Sequence, residues 1–413
     1  MKFDTIIIGG GLTGLTCGIS LIEKGQNCAI ISSGQSAMHF CSGSFDLLGY
    51  VDGKEVANPL SAISSLPSTH PYSIIGSDNI AKIVGRVEPM FARVGLKVNG
   101  TAEQNHYRIT PSGTLRPTWL SLDDFTIIKD KSKFPWKTVS IQNISGFLDF
   151  NTSFIADGLE RLGAKCSISS FSIPELERIR KSPSEMRSTN IAKVFDHVEV
   201  LEKLGKIIVE KSLDSEVIVL PAVFGLYNQN TIAILRTIVD KPLCLLPALP
   251  PSVPGIRAQI MMKQHFLKLG GTYMLGDTVT GGEINDVTLK SINTANHGDI
   301  KLEADNFVLS SGSFFSHGII ANSESVYEPI FGLDVNAEAD RRDWCDSNIF
   351  NNQPYMSFGV ATDSEFHAQI NGKAIKNLYV AGSVMSGSNA LKEASGAGIS
   401  ILTALHVSDI ISK

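Results

Sequence analysis

The chain has 413 residues and a formal charge of −5 at pH 7, which excludes nucleic acid as its main partner, because a polyanion needs a basic face. Hydrophobic residues make up 43% and mean hydropathy is +0.09, ample for a large buried core spread over about two to three domains. Six cysteines (Cys17, Cys28, Cys41, Cys166, Cys244, Cys345) form no C-x-x-C pair; they suit neither zinc nor an iron–sulfur cluster and read as buried residues of a reducing cytosol.

Asp4 to Ile8, short and β-branched, reads as a buried parallel strand. Leu12 to Lys24 reads as a helix and Cys28 to Ile31 as a second strand, which completes a βαβ unit. A strand that starts at Thr5 leaves no room for a signal peptide. The longest apolar stretches, such as Val217 to Leu226, fall short of the ~18 residues of a membrane span. The expectation is a cytoplasmic protein. Gly34 to Tyr50, "HPYSIIG" and "TPSGTLRPTWL" read as loops. From about Lys137 the pattern changes: "DGLERLGAKCSI" reads as helix then strand, and "SEVIVLPAVFGL" as a buried strand. "LPPSVPG" forms a stiff boundary, since its prolines cannot continue regular structure. Beyond it come a helix over Gly255 to Leu269, hairpin-like strands in "GGTYMLGDTVTGGEI", a strand in "DNFVLSSGSFF", an Asn371-Gly372 turn and a terminal helix from about Ser395 to Ile411. The resulting domains are 1–136 and 251–413, forming one α/β domain in two parts, and 137–250, an inserted α/β domain.

The spacing Gly9-x-Gly11-x-x-Gly14 has a physical logic: a tight turn, backbone approach to a phosphate, and close packing of helix on strand. The helix N-terminus then offers free N–H groups to the anion. Two later segments, "FVLSSGS" and "NLYVAGSVMSGSNALKEASGAG", each run a strand into small residues. Gly312, Gly382, Ser383, Gly396, Ala397 and Gly398 offer bare backbone on which a planar ring can lie. A helix N-terminus favours the negative charge of a reduced flavin, whereas a nicotinamide domain needs no such distant return.

"GGGLTGL", "FVLSSGS", "GVATD" and "NLYVAGSV…GAG" together resemble the flavoproteins with two dinucleotide-binding domains, the class of fumarate reductase and glycerol-3-phosphate dehydrogenases. "GQSAMHFCSGSFDLL", "HPYSIIG", "TPSGTLRPTWL", "ISGFLDF", "LPPSVPGIR", "SGSFFSHG" and "EPIFGLDV" resemble the family of anaerobic glycerol-3-phosphate dehydrogenase B subunits. The resemblance implies a Rossmann-like flavin-binding domain (an FAD/NAD(P)-binding fold) with an inserted α/β domain. It also implies a catalytic A subunit and a membrane-anchoring iron–sulfur C subunit as partners. Such a complex oxidises sn-glycerol 3-phosphate to dihydroxyacetone phosphate at the inner face of the membrane, and its electrons pass to quinone and then to fumarate or nitrate.

Counting from Gly9, the carboxylate that usually clamps an adenosine ribose falls at Ser32, and neither Ser33 nor Gly34 replaces it. FMN has no adenosine ribose, so FMN is the expected flavin and FAD the alternative. His39 and the following Ser42-Gly43-Ser44 are candidates to approach the flavin, and His317 lies past the "SSGSFF" loop; either histidine could serve as the base of an alcohol oxidation. Arg257, early in a helix, and Arg116, in a loop, are candidate phosphate ligands, although a carboxylate partner would equally explain Arg257. Asp363 matches a position near the flavin in the fumarate reductase class, but Asp363 and Asp334 could each simply cap a turn. No compact base–arginine constellation stands out. The chain is therefore expected to relay electrons while the A subunit binds substrate. A stand-alone flavoprotein acting on another small acid, or a non-catalytic scaffold subunit, are the alternatives.

Overall fold

A computed structural model describes residues 1–212 and 214–413. Thr5, Ile6, Ile7 and Ile8 are all buried, as a strand covered on both faces requires. Their strand, Lys2–Ile8, pairs in parallel with Cys28–Ser32 on one side and Leu302–Leu309 on the other. Thr272–Leu275 lies parallel beyond Cys28–Ser32, and Lys373–Val380 runs parallel to Leu302–Leu309. Antiparallel strands Val279–Asn285, Thr288–Thr294 and His367–Ile370 complete an eight-stranded sheet. Chain order reverses across Lys2–Ile8, so its carboxyl end is a topological switch point, where open α/β sheets bind ligands. Helices Leu12–Glu23 and Gly396–Ile411 pack together, joined by Ser408 Oγ donating to Ser20 Oγ at 2.7 Å and by a Lys24–Asp409 ion pair at 2.6 Å.

The chain divides into two compact units. The first holds the eight-stranded sheet and comprises Met1–Ala37, Asp46–Gly95 and Met261–Lys413. The second comprises Met38–Phe45 and Leu96–Ile260. Its core is a parallel sheet in the order Lys165–Phe171, Thr138–Ile144, Val217–Pro221, Leu243–Leu246. This α/β sheet falls within the segment read as an insertion. The unit nevertheless begins well before Lys137, because Ser44–Phe45, Leu120–Leu122 and Val98–Asn99 form a small antiparallel sheet within it.

Several local readings change. "HPYSIIG" contains the helix Pro71–Ile75, capped by His70 Nδ1 accepting the Tyr72 amide, with a proline at its first position. "TPSGTLRPTWL" forms half of a hairpin, His106–Ile109 against Leu115–Thr118. "GGTYMLGDTVTGGEI" is not one hairpin: Thr272–Leu275 joins the parallel edge, and Val279–Asn285 pairs with the following strand. The Asn371-Gly372 turn forms with both residues at positive φ, and Asp334 accepts both their amides.

Candidate functional site

The loop after Lys2–Ile8 is built by the absence of side chains. A Cβ at Gly9 (φ +115°) would collide with the Ser310 carbonyl, and one at Gly14 with the Gly9 carbonyl. Ser310 Oγ donates to the Ile8 and Gly9 carbonyls at 3.0 and 3.2 Å, which ties the start of the "SSGS" loop onto the first turn. Gly382 (φ +80°) sits so close to Thr13 that a Cβ there would strike its hydroxyl, and the Gly382 amide donates to Thr403 Oγ1 at 2.8 Å. A Cβ at Gly312 would meet Ser316 and lie 3.9 Å from Ser383 Oγ. The three small-residue segments that are far apart in sequence therefore converge at the carboxyl end of Lys2–Ile8, where an open α/β sheet forms its ligand crevice.

This crevice fits the phosphates of a flavin dinucleotide. Helix Leu12–Glu23 starts at Gly11 with no side-chain cap and no acid in its first turn, so its amides are offered to an anion. A Cβ at Gly11 would meet nothing nearer than Ser36 Cβ at 3.5 Å, which leaves the approach open. The Oγ of Ser311 is buried and has no hydrogen-bond partner among the described residues. Gly9, Gly11, Gly14, Ser310, Ser311, Gly312 and Gly382 would hold the group. Sequence reasoning misses Thr13, Ser310 and Ser311, although each is the polar neighbour of a glycine that it singles out.

Ser32 is buried, and its hydroxyl donates to the Gly34 carbonyl at 3.1 Å, so its oxygen can still accept from a ribose. Ser33 is exposed. The terminal helix is only partly bare: Gly396 and Ala397 are half-buried, but Gly398 packs against the Tyr72 hydroxyl and Leu47, and its amide is taken by the Asp46 carbonyl. The entry to this helix is fixed by a buried network. His70 Nδ1 accepts from the Tyr72 amide, so its other nitrogen bears the proton and donates to Glu393 at 3.2 Å. Glu393 also accepts from the Asn389 amide and Ser395 Oγ, and these donors hold its carboxyl below its usual range despite burial.

The other candidates have varied surroundings. Arg257 belongs to helix Val253–Lys268, which starts earlier than read, so it lies beyond the first turn. It is buried, paired with Asp124, and reaches the Phe224 and Gly225 carbonyls. The carboxylate explanation of its placement therefore accounts for it. Arg116 stands opposite Arg108 in the hairpin. His39 is half-buried, and burial lowers its pKa, against a hydrogen bond to Gln259 that raises it. Ser42 and Ser44 hydroxyls lie 2.8 Å apart, and Gly43 packs on the Phe125 ring. His317 is exposed, in a left-handed conformation at φ +60°. Asp363 caps a turn, accepting from the Glu365 and His367 amides and pairing with the His367 ring. Among the described residues no group of His, Cys, Asp and Glu could hold a metal, and no helix is long and apolar enough to cross a membrane.

A family model for an FAD-binding domain matches residues 4–399. The chain is 44% identical to the B subunit of the anaerobic glycerol-3-phosphate dehydrogenase of Yersinia enterocolitica, over 100% of this chain and 98% of the relative. It is 43% identical to the same subunit of Yersinia pestis and 36% identical to that of Pasteurella multocida, each over 100% of this chain and 99% of the relative. The matched domain is one that binds FAD, so FMN as the first choice is not supported. The physical reason lies in the glycine turn, which is adapted to a pyrophosphate that FMN lacks. The loss of a carboxylate at Ser32 weakens the ribose clamp without removing the phosphate cradle.

Proposed function

The chain belongs to the family of anaerobic glycerol-3-phosphate dehydrogenase B subunits, within the FAD-binding domain family, and on that premise we propose that it is the FAD-carrying subunit of a glycerol-3-phosphate:quinone oxidoreductase. The observation that carries this reading is the convergence of the Gly9–Gly14 turn, the Ser310–Gly312 loop and Gly382 on one crevice, in a chain related over its full length to such subunits. When bound, a flavin supplies reversible hydride and electron acceptance. The protein offers helix amides and small-residue backbone to hold its phosphates.

In this reading sn-glycerol 3-phosphate is oxidised to dihydroxyacetone phosphate on the catalytic A subunit, and this chain relays electrons. They pass by way of the iron–sulfur C subunit to quinone and onward to fumarate or nitrate. The C subunit also holds the assembly at the cytoplasmic face of the membrane. The internal commitment of Arg257 to Asp124 and two carbonyls supports a relay, since a self-sufficient dehydrogenase would keep such a cation for substrate phosphate. A second reading has one specific observation in its favour. His39 is half-buried and hydrogen-bonded to Gln259, a setting that holds the ring in place while burial lowers its pKa, with Arg116 or His317 as further candidates for substrate chemistry in this chain.

Anaerobic titration with glycerol 3-phosphate separates the two. The relay reading expects the flavin of the isolated chain to stay oxidised and to bleach once the A subunit is added. Bleaching of the isolated chain contradicts it and favours the second reading.

A further inference from the structure

Residues 338–353 of the first unit form a loop held by its own side chains. Trp344 is buried and anchors one end, its indole N–H donating to the Glu338 carbonyl at 2.7 Å. Gln353 is buried beneath the tip, where its side chain accepts the Asp346 amide at 3.1 Å and donates to the Asn348 carbonyl at 3.0 Å. Asp346 Oδ1 accepts from the Asn348 amide and from Asn351 Nδ2, and Asn348 Oδ1 accepts from the Phe350 amide. This ordering hides no apolar surface at the tip. Ile349 is 78% exposed and Phe350 89% exposed.

Holding two large apolar side chains in water on a hydrogen-bonded frame costs conformational entropy and gains no local apolar contact. The same frame lowers the cost of docking, because the loop need not order on contact. The surrounding charge narrows the occupant. Glu338, Asp340, Asp343 and Asp346 outnumber Arg341 and Arg342 in the same loop, so an anionic lipid surface would be repelled. A second copy would bring the same acidic rim against itself in a two-fold contact. A different protein with an apolar pocket and a basic rim remains, and this family is named as one subunit of a larger enzyme.

We propose that the Ile349–Phe350 tip is a docking knob for another subunit of the same enzyme, inserted into an apolar pocket with a basic rim. The inference rests on the reading of this chain as one component of a complex. Phe350 fills the pocket centre, Ile349 packs beside it, and the asparagines and Asp346 form the polar border that such an interface needs.

The test co-expresses the full chain, wild type or Ile349→Ser/Phe350→Ser, with the other subunits of its complex and measures co-purification and affinity. The expected result is a loss of roughly tenfold or more in affinity, with flavin content and melting temperature of the isolated chain unchanged. Because both side chains are solvent-exposed, the variant folds as the wild type does. Retained affinity overturns the proposal and leaves the reading as a component of a complex standing, as does wild-type chain that dimerises, or binds vesicles of anionic lipid, through the same two residues. Wild-type chain that associates with none of the other subunits overturns both.

Discussion

The glycine-lined crevice of the first unit and the interior of the second use charge and backbone in opposite ways. In the first, the crevice is made by what is missing: Gly9, Gly14 and Gly382 let backbone and Thr13 meet where a Cβ would collide, and the helix end at Gly11 stays uncapped. In the second, polar groups turn inward: Arg257 is paired with Asp124, and His106 is buried against Ser121 at 2.8 Å. Bare backbone marks a place for a ligand where it lies beside an uncapped helix start at the end of a parallel strand, whereas a buried cation held by a carboxylate and two carbonyls marks architecture.

Arg257→Ala has the largest expected effect. It leaves the half-buried Asp124 beside an empty space and should cost about 3 kcal/mol of stability in chemical denaturation, the low end for breaking a buried ion pair. Unchanged stability with weakened binding of glycerol 3-phosphate would place Arg257 among ligand-binding residues instead. Gly14→Ala drives a methyl into the Gly9 carbonyl; it should cost about 3 kcal/mol and, unlike Arg257→Ala, abolish flavin retention measured by absorbance. Full flavin content in that variant would mean the turn is only structural.

Burial, together with the nearby Arg108, lowers the His106 pKa to about 4. The unfolded imidazole gains its proton from about pH 6.5 downward and the folded one only near pH 4, so the folded state loses stability as pH falls through that window. The loss reaches up to about 3 kcal/mol and should vanish in His106→Gln, as read by denaturation at a series of pH values. The smallest effect is expected for Glu393→Gln, which keeps the shape but removes the charge that His70, Ser395 and the Asn389 amide surround. It should cost about 1–2 kcal/mol and weaken flavin several-fold by fluorescence titration. This contribution is present above the unfolded pKa of the carboxyl and is lost as pH falls through its depressed folded value.

The same contrast explains what the sequence could reveal. The first strand, the glycine turn, the terminal helix and the Asn371-Gly372 hairpin are legible because each depends on local pattern or on a residue type with one conformational use. Gly398 misleads, since its bareness serves packing against Tyr72 and Leu47 rather than a ring. The Arg257–Asp124 pair joins positions 133 residues apart, and His70–Glu393 joins positions 323 apart, so neither leaves a local signal. The small strands Ser44–Phe45 and Val98–Asn99 are too short to show periodicity, which is why the second unit's start lies hidden. The expectation of FMN rests on the single position Ser32, whereas the pyrophosphate cradle spans three glycines and outweighs it.

The most direct measurement is release of the cofactor from the purified full-length chain by acid, followed by chromatographic identification and quantitation. FAD is expected at close to one per chain. FMN at that occupancy, or no flavin in chain reconstituted with excess FAD, would contradict it.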